Sequence, residues 1–171
     1  MTELNTASPV VDKSDAAITS FNARIEGIKY DMLDGLIGYA VRRAQLLIYE
    51  DFANSLASLG ITPQRFSSLV IIENNPGISQ SKLAEVIGIA RSGVVAIIDS
   101  FESMGLVERQ SSSDRRSYNL NLTRVGLRQL KKYKKHVADH DDRIAHALTE
   151  SERKQLQFLL GKLCMLCRLE V

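Results

Sequence analysis

Tryptophan is absent from this 171-residue chain, phenylalanine and tyrosine occur five times each, and proline occurs three times. So few large rings favour helix-rich packing over a core built on aromatics. Cysteine is nearly missing too, with Cys164 and Cys167 the only two, which excludes the disulfide-stapled scaffold of small secreted proteins. No apolar run approaches the roughly 18 to 20 residues that a membrane span needs, and the N-terminus lacks a basic stretch followed by an apolar one. Together these absences predict a soluble cytoplasmic protein with no membrane partner. There is also no glycine-rich phosphate loop, no G-x-S-x-G elbow and no H-E-x-x-H pair. Neither an enzyme nor a bound cofactor is expected. Two cysteines without a neighbouring histidine make half a tetrahedral zinc site. His136 and His140 can share a helix face, as a metal pair or, more commonly, as two solvated histidines.

What is present fits one compact domain with room for an added dimerisation layer. Apolar residues make up 44% of the chain, and the net charge is only +2. That charge is unevenly placed. Residues 109–135 hold Arg109, Arg115, Arg116, Arg124, Arg128, Lys131, Lys132, Lys134 and Lys135 against one acid, Asp114, giving +8 there and −6 elsewhere. A basic patch on a nearly neutral protein is the footprint of a module that docks on a polyanion. A solvated lysine-rich helix face would carry the same charges.

Along the chain, residues 1–13 read as a flexible tail and 14–29 as a short accessory helix carrying Ala17, Ile18, Phe21, Ile25 and Ile28. From 30 to 59 a sustained stripe (Leu33, Leu36, Ile37, Ala40, Ala44, Leu47, Ile48, Phe52, Leu56) predicts one long helix ended by Gly60. Thr62 offers an N-cap with Pro63 at the first helical position, and Asn75, Pro76 and Gly77 stop the second helix. Ser79 caps a third helix that Gly88 closes, and a fourth runs from 90 to 104. Two amphipathic helices joined by a short glycine turn are the helix-turn-helix pattern. After Gly105 the period changes to two, and a polar turn separates two short strands: a hairpin with Tyr118, Leu120 and Leu122 facing inward and its basic tip in solvent, the form of a wing. Thr123 caps a further long helix, and Thr149 with Glu152 makes a capping box for the last. That last helix carries Leu156, Leu159, Leu160, Leu163 and Leu166, too apolar a set to stand alone. The stripes of the first long helix and the last two most simply bury against a second copy, although an intrachain bundle would use the same residues.

Several short runs within this order are specific: Leu83-Ala84-Glu85-Val86-Ile87-Gly88-Ile89-Ala90-Arg91-Ser92-Gly93-Val94, Met104-Gly105-Leu106-Val107-Glu108-Arg109, Asp114-Arg115-Arg116 and Leu122-Thr123-Arg124-Val125-Gly126. Over roughly 33 to 163 the chain resembles the MarR family of ligand-responsive regulators. The resemblance implies a mostly α winged helix-turn-helix fold with a small β-hairpin wing, in an obligate homodimer that binds double-stranded DNA. The DNA-binding region would be 61–123, and 30–60 and 124–171 would be dimerisation helices. Recognition helices would enter successive major grooves, and wings the flanking minor grooves.

A recognition helix meets base edges with its N-terminal residues, where free N–H groups also favour phosphate. Arg91 and Ser92 stand there, and Arg91 suits guanine O6 and N7 or a phosphate. The chain departs from the usual family pattern of polar residues by placing Gly93, Val95 and Ala96 on this helix. Val95 and Ala96 can touch thymine methyls or merely pack on a neighbour. Gln80, Ser81 and Lys82 open the third helix as phosphate contacts. Arg115 and Arg116 suit a narrow minor groove, and the family's Asp-x-Arg pair maps to Asp114 and Arg116.

Family members bind a small effector between the dimerisation helices and the DNA-binding lobe. Tyr39, Arg42, Arg43, Tyr49, Phe52 and Phe66 offer an apolar site with a cationic clamp, and the run from 39 to 45 is similar to regulators answering aromatic acids or their coenzyme A thioesters. An arginine paired with Glu50 or Asp51 on the surface is the alternative. The expected function is a repressor released from an inverted-repeat operator by such a ligand. Two other readings stay open: a cysteine redox sensor at Cys164-Met165-Leu166-Cys167, whose thiols the apolar helix would tend to bury, and a winged-helix module for protein contacts without DNA.

Overall fold

The computed structural model describes residues 21–111 and 118–166. The expected tail, the hairpin tip and Cys167 lie outside them. In order come α1 (Ile37–Leu56), α2 (Pro63–Asn74), β1 (Ile78–Ser79), α3 (Gln80–Ile87), α4 (Arg91–Ser103), β2 (Val107–Ser111), β3 (Tyr118–Leu122), α5 (Arg124–Ile144) and α6 (Glu150–Leu166). The chain divides into two compact units, Met1–Glu50 and Asp51–Val171.

Four helices begin where capping chemistry places them. Thr62 accepts from the Arg65 N–H at 3.3 Å, Ser79 from Lys82 at 3.2 Å and Thr123 from Gly126 at 3.0 Å. At α6 the capping box is reciprocal. The Thr149 N–H donates to Glu152 Oε2 at 2.7 Å and the Glu152 N–H to Thr149 Oγ1 at 3.3 Å, satisfying two otherwise orphaned donors. The Thr149 backbone and hydroxyl bonds hold the Glu152 carboxyl below its ordinary range. Gly88 ends α3 with φ 76°, a left-handed backbone that only glycine adopts without steric cost.

The first unit differs from expectation. In place of one helix from 30 there is a 3-10 turn, Asp31–Gly35, then an extended Leu36 before α1 begins. Gly35 and Gly38 lie within four residues of each other, and each glycine weakens a helix by about 1 kcal/mol. Residues 21–30 form no helix, so the described part of the expected accessory helix is absent. Their N–H groups find side chains instead: Arg24 donates to Asn22 Oδ1 and Ile25 to the Tyr30 hydroxyl, each at 3.0 Å. Such local bonds compete directly with helix formation.

In the second unit, β1, β3 and β2 form an antiparallel sheet in that order. β2 and β3 are the expected hairpin, paired from Val107 with Leu122 to Ser111 with Tyr118. β1 is an addition of two residues, with Ile78 opposite Leu120, too short to leave a periodic signal. Leu120 is buried as expected, but Tyr118, at the far end of the hairpin, is 52% exposed. The core joins Phe52 and Leu56 of α1, Leu69 and Ile72 of α2, Leu83 of α3, Val94, Ile98 and Phe101 of α4, Leu106, Val107, Leu120, and Leu130 and Tyr133 of α5. The amino-terminal half of α5 and the last turns of α1 therefore bury within their own chain, which corrects the expectation that their stripes await a second copy. α6 does not: Leu156, Phe158, Leu159, Leu160, Leu163 and Met165 are all exposed.

His140 is not solvated but 4% exposed. Its Nδ1 lies 2.6 Å from Asp51 Oδ2, and its ring meets Phe52 edge to face at 5.2 Å. Arg143 donates to the same carboxylate oxygen at 3.0 Å. Burial pushes the Asp51 carboxyl up, but these two partners outweigh it and hold the group below its ordinary value.

The tightest backbone approach is at Gly126, where a Cβ would stand 2.0 Å from the Leu106 carbonyl oxygen. Gly126→Ala should therefore destabilise the protein by about 2 to 3 kcal/mol, because neither backbone can retreat. The urea midpoint will fall accordingly, and an unchanged midpoint would contradict the packing described.

Candidate nucleic-acid interface

α3 and α4 are joined through Gly88, Ile89 and Ala90, and they pack through Leu83, Ala84, Val94 and Ile98. That leaves the first turn of α4 turned outward. Arg91, Ser92 and Ala96 are exposed, Gly93 and Val95 half-buried, and Val94 buried. Of the five candidate residues on this helix, three thus face solvent freely, and Gly93 stands against Ile89, whose Cδ1 would be 3.5 Å from a Cβ there. The N-cap position, Ala90, supplies no side-chain cap, whereas α2, α3, α5 and α6 are all capped by a hydroxyl. An uncapped positive helix end with an arginine beside it is suited to an anion.

At the start of α3, Ser81 and Lys82 are exposed, and Lys82 Nζ reaches Glu85 at 2.9 Å. Gln80 is half-buried and engaged: with its amide oxygen turned toward Arg109 it accepts from Nε and Nη2 at 2.8 Å each. Arg109 is the residue that sequence reasoning misplaced. Counted there within an open basic patch, it is 18% exposed, bonded to Asp99 at 2.6 Å and to Glu102, and its N–H donates to Glu102 Oε1 at 3.1 Å. The guanidinium thus ties β2 to α4 and to the first residue of α3. The signal available in sequence was the Asp99 and Glu102 pair, three apart on one face of α4 and seven to ten residues before the arginine. Lys134 is likewise paired, with Glu73. Asp114, Arg115 and Arg116 lie outside the described residues; β2 and β3, paired from Val107 to Ser111, bring the chain to either side of them.

The candidate effector residues fall in both units. In the first, Arg42 is exposed, Tyr39, Arg43 and Tyr49 are half-buried, and the Arg43 guanidinium lies 5.5 Å from the centre of the Tyr39 ring. Neither arginine pairs with Glu50, which accepts from the Phe21 N–H at 3.1 Å, nor with Asp51. In the second unit Phe52 belongs to the core and Phe66 packs on its edge. Cys164 is exposed on α6 rather than buried.

Two helices in a helix-turn-helix, with an antiparallel hairpin behind them and the amino end of the second helix open, define a winged helix-turn-helix protein. A family model described as the MarR family matches residues 61–118. A Thauera aromatica protein described as a candidate transcriptional regulatory protein for the hcr operon is 33% identical over 83% of this chain and 87% of its own length. Among solved structures, the transcriptional repressor CouR bound to a 23-mer DNA duplex superimposes with a TM-score of 0.76 and 40% identity, covering 80% of this chain and 98% of that one. CouR bound to p-coumaroyl-CoA gives 0.72 and 37%, covering 80% and 97%. The chain belongs to the MarR family of transcriptional regulators. No helix among the described residues is long and apolar enough to cross a membrane.

The Arg109 network makes a stability prediction. Arg109→Ala leaves Asp99, Glu102 and Gln80 without their shared donor and should cost about 1 to 3 kcal/mol. Arg109→Lys should restore little of it, since a single ammonium cannot reproduce the planar fork. Chemical denaturation of the two variants checks both, and a lysine variant as stable as wild type would contradict the assigned geometry.

Proposed function

We propose that this protein is a homodimeric repressor that holds an inverted-repeat DNA site and is released from it by an aromatic acid or its coenzyme A thioester. The observation that carries the reading is the open amino end of α4, with Arg91 and Ser92 exposed on it, in a chain 40% identical to a repressor solved on DNA. Arg91 reads a base edge, bidentate to guanine, and Ser92 and Ala96 flank it. Gly93 and Val95 set how closely the helix approaches. Ser81 and Lys82 take phosphates, and Gln80 acts by holding Arg109. Arg115 and Arg116, oriented by Asp114, enter the minor groove beside the site.

Dimerisation is supported by apolar surface that water would otherwise meet: Leu156, Phe158, Leu159, Leu160 and Leu163 on α6, and Leu33, Leu36, Ile37, Val41 and Leu47 in the first unit. Exposed stripes of this extent mark interfaces, and a two-fold dimer presents two α4 helices about one turn of DNA apart. The effector class is supported by the CouR structure with p-coumaroyl-CoA and by Tyr39, Arg42 and Arg43 on one helix. Tyr49 is a further effector candidate on the same helix.

Fluorescence anisotropy with a duplex from the gene's own promoter, at two salt concentrations, tests the proposal. Wild type should bind tightly and lose affinity steeply with salt, and p-coumaroyl-CoA or p-coumarate should release it. Arg91→Ala should cost about 1 to 3 kcal/mol and relax preference at one half-site position, whereas Arg116→Ala should weaken all sequences alike. Unchanged sequence preference in Arg91→Ala would remove its base-reading role, and absence of binding at either salt would overturn the proposal in favour of protein contacts.

A further inference from the structure

Several cations of the second unit are matched to acids within it: Lys82 to Glu85, Arg109 to Asp99 and Glu102, Lys134 to Glu73 and Arg143 to Asp51. The first half of α5 departs from this. Arg124, Arg128, Lys131, Lys132 and Lys135 are all exposed, and none of them has an acid or a hydrogen-bond partner for its side chain among the described residues. Every exposed residue from Arg128 to Lys135 is a lysine or an arginine. The acids of the helix, Asp139, Asp141 and Asp142, come only in its last third. Steps of four, three and four residues keep Arg124, Arg128, Lys131 and Lys135 in one row. Gly126, Leu130 and Tyr133, the buried residues of the same stretch, stand on the other side, so the row faces away from the lobe's own core.

The row spans about 16 Å, with a charge roughly every 5 Å. Like charges three and four residues apart destabilise a helix, and a ligand carrying closely spaced anions relieves that repulsion. One DNA strand offers a phosphate about every 3.4 Å of its axis. A protein partner would need an apolar or aromatic centre to its interface, which the stretch from Arg128 to Lys135 does not expose. Thr123, just before the row, donates its hydroxyl to the Gly105 carbonyl just beyond α4. The row therefore begins at the carboxyl end of α4, the length of a 13-residue helix, about 20 Å, from the amino end that carries Arg91. The phosphates it can meet are not those beside the bases at that end. We propose that this row is a second DNA surface, which takes the phosphate backbone beyond the bases read by α4 and holds flanking DNA against the lobe. It supplies charge and no base reading. The inference rests on the regulator reading above and extends it to DNA outside the half-sites.

Anisotropy titrations of the full chain across a range of salt test this with two promoter duplexes. One is trimmed to the stretch the protein protects from cleavage, and the other carries about two further turns, roughly 20 base pairs, on each side. Each phosphate contact adds about 0.9 to the slope of log K against log salt. The triple variant Arg128→Gln, Lys131→Gln, Lys135→Gln should flatten the slope on the long duplex by about 2 or more and bind the trimmed one as wild type does. Glutamine forms helix as readily as the residues it replaces, so the fold is kept. Lys134→Gln, which removes a cation already paired with Glu73, should leave both slopes unchanged. Equal slopes for wild type and the triple variant on the long duplex would overturn the proposal, as when the row meets an acidic protein or only solvent. An equal loss on both duplexes would overturn it too, because the row would then lie on the DNA that α4 already holds. Failure of the regulator reading looks different: wild type would bind a scrambled long duplex as well as the promoter, while the triple variant still showed the flatter slope. A wild type that binds no DNA removes both.

Discussion

The DNA-binding lobe depends on one crossing of backbones, where Gly126 lies on the carbonyl of Leu106 with no room for a side chain. Three other bonds close the same junction. The Leu106 N–H donates to Phe101 at 2.8 Å, the Thr123 N–H to the Leu106 carbonyl at 3.0 Å, and the Thr123 hydroxyl to the Gly105 carbonyl at 2.6 Å. The end of α4, the open end of the hairpin and the start of α5 are thereby fixed at one point. With that end tied down, the opposite end of α4 carries its exposed amino terminus. Arg109 adds the second tie, from β2 to α4 through Asp99 and Glu102. Rigid mounting of this kind lets exposed side chains such as Arg91 meet a ligand in a set orientation at little entropic cost.

The same junction explains what sequence could and could not reveal. Thr62, Ser79, Thr123 and the Thr149–Glu152 pair announced their helices, because capping is local chemistry among residues three apart. The change from helical period to alternation after Gly105 likewise placed β2 and β3. The break before α1 was hidden, since Leu33, Leu36 and Ile37 keep a helical rhythm while Gly35 and Gly38 undo it. β1 was too short to read. Whether α5 faces its own core or a partner was beyond periodicity, because Leu130 and Tyr133 would stripe the helix equally in either case; the glycine that lets α5 approach Leu106 decides it.

Charge was the least legible feature. Nine basic residues between 109 and 135 read as one patch, yet Arg109 and Lys134 spend their charge on carboxylates of their own chain, Asp99, Glu102 and Glu73. Their partners are distant in sequence or hidden in a helix, so no count along the chain separates them from cations that face a polyanion. His140 shows the same limit, buried against Phe52 and bonded to Asp51 from 89 residues away. Long-range pairs of this sort set the geometry of the lobe, whereas the exposed residues at the start of α4 set what it can recognise.

The central claim is that two copies of α4, related by a two-fold axis, read DNA through their amino ends. Selection of bound duplexes from a randomised pool by the purified wild-type protein tests it most directly. The account predicts enrichment of an inverted repeat with half-site centres about 10 base pairs apart. Recovery of no enriched sequence, or of a single unrepeated site, would contradict it.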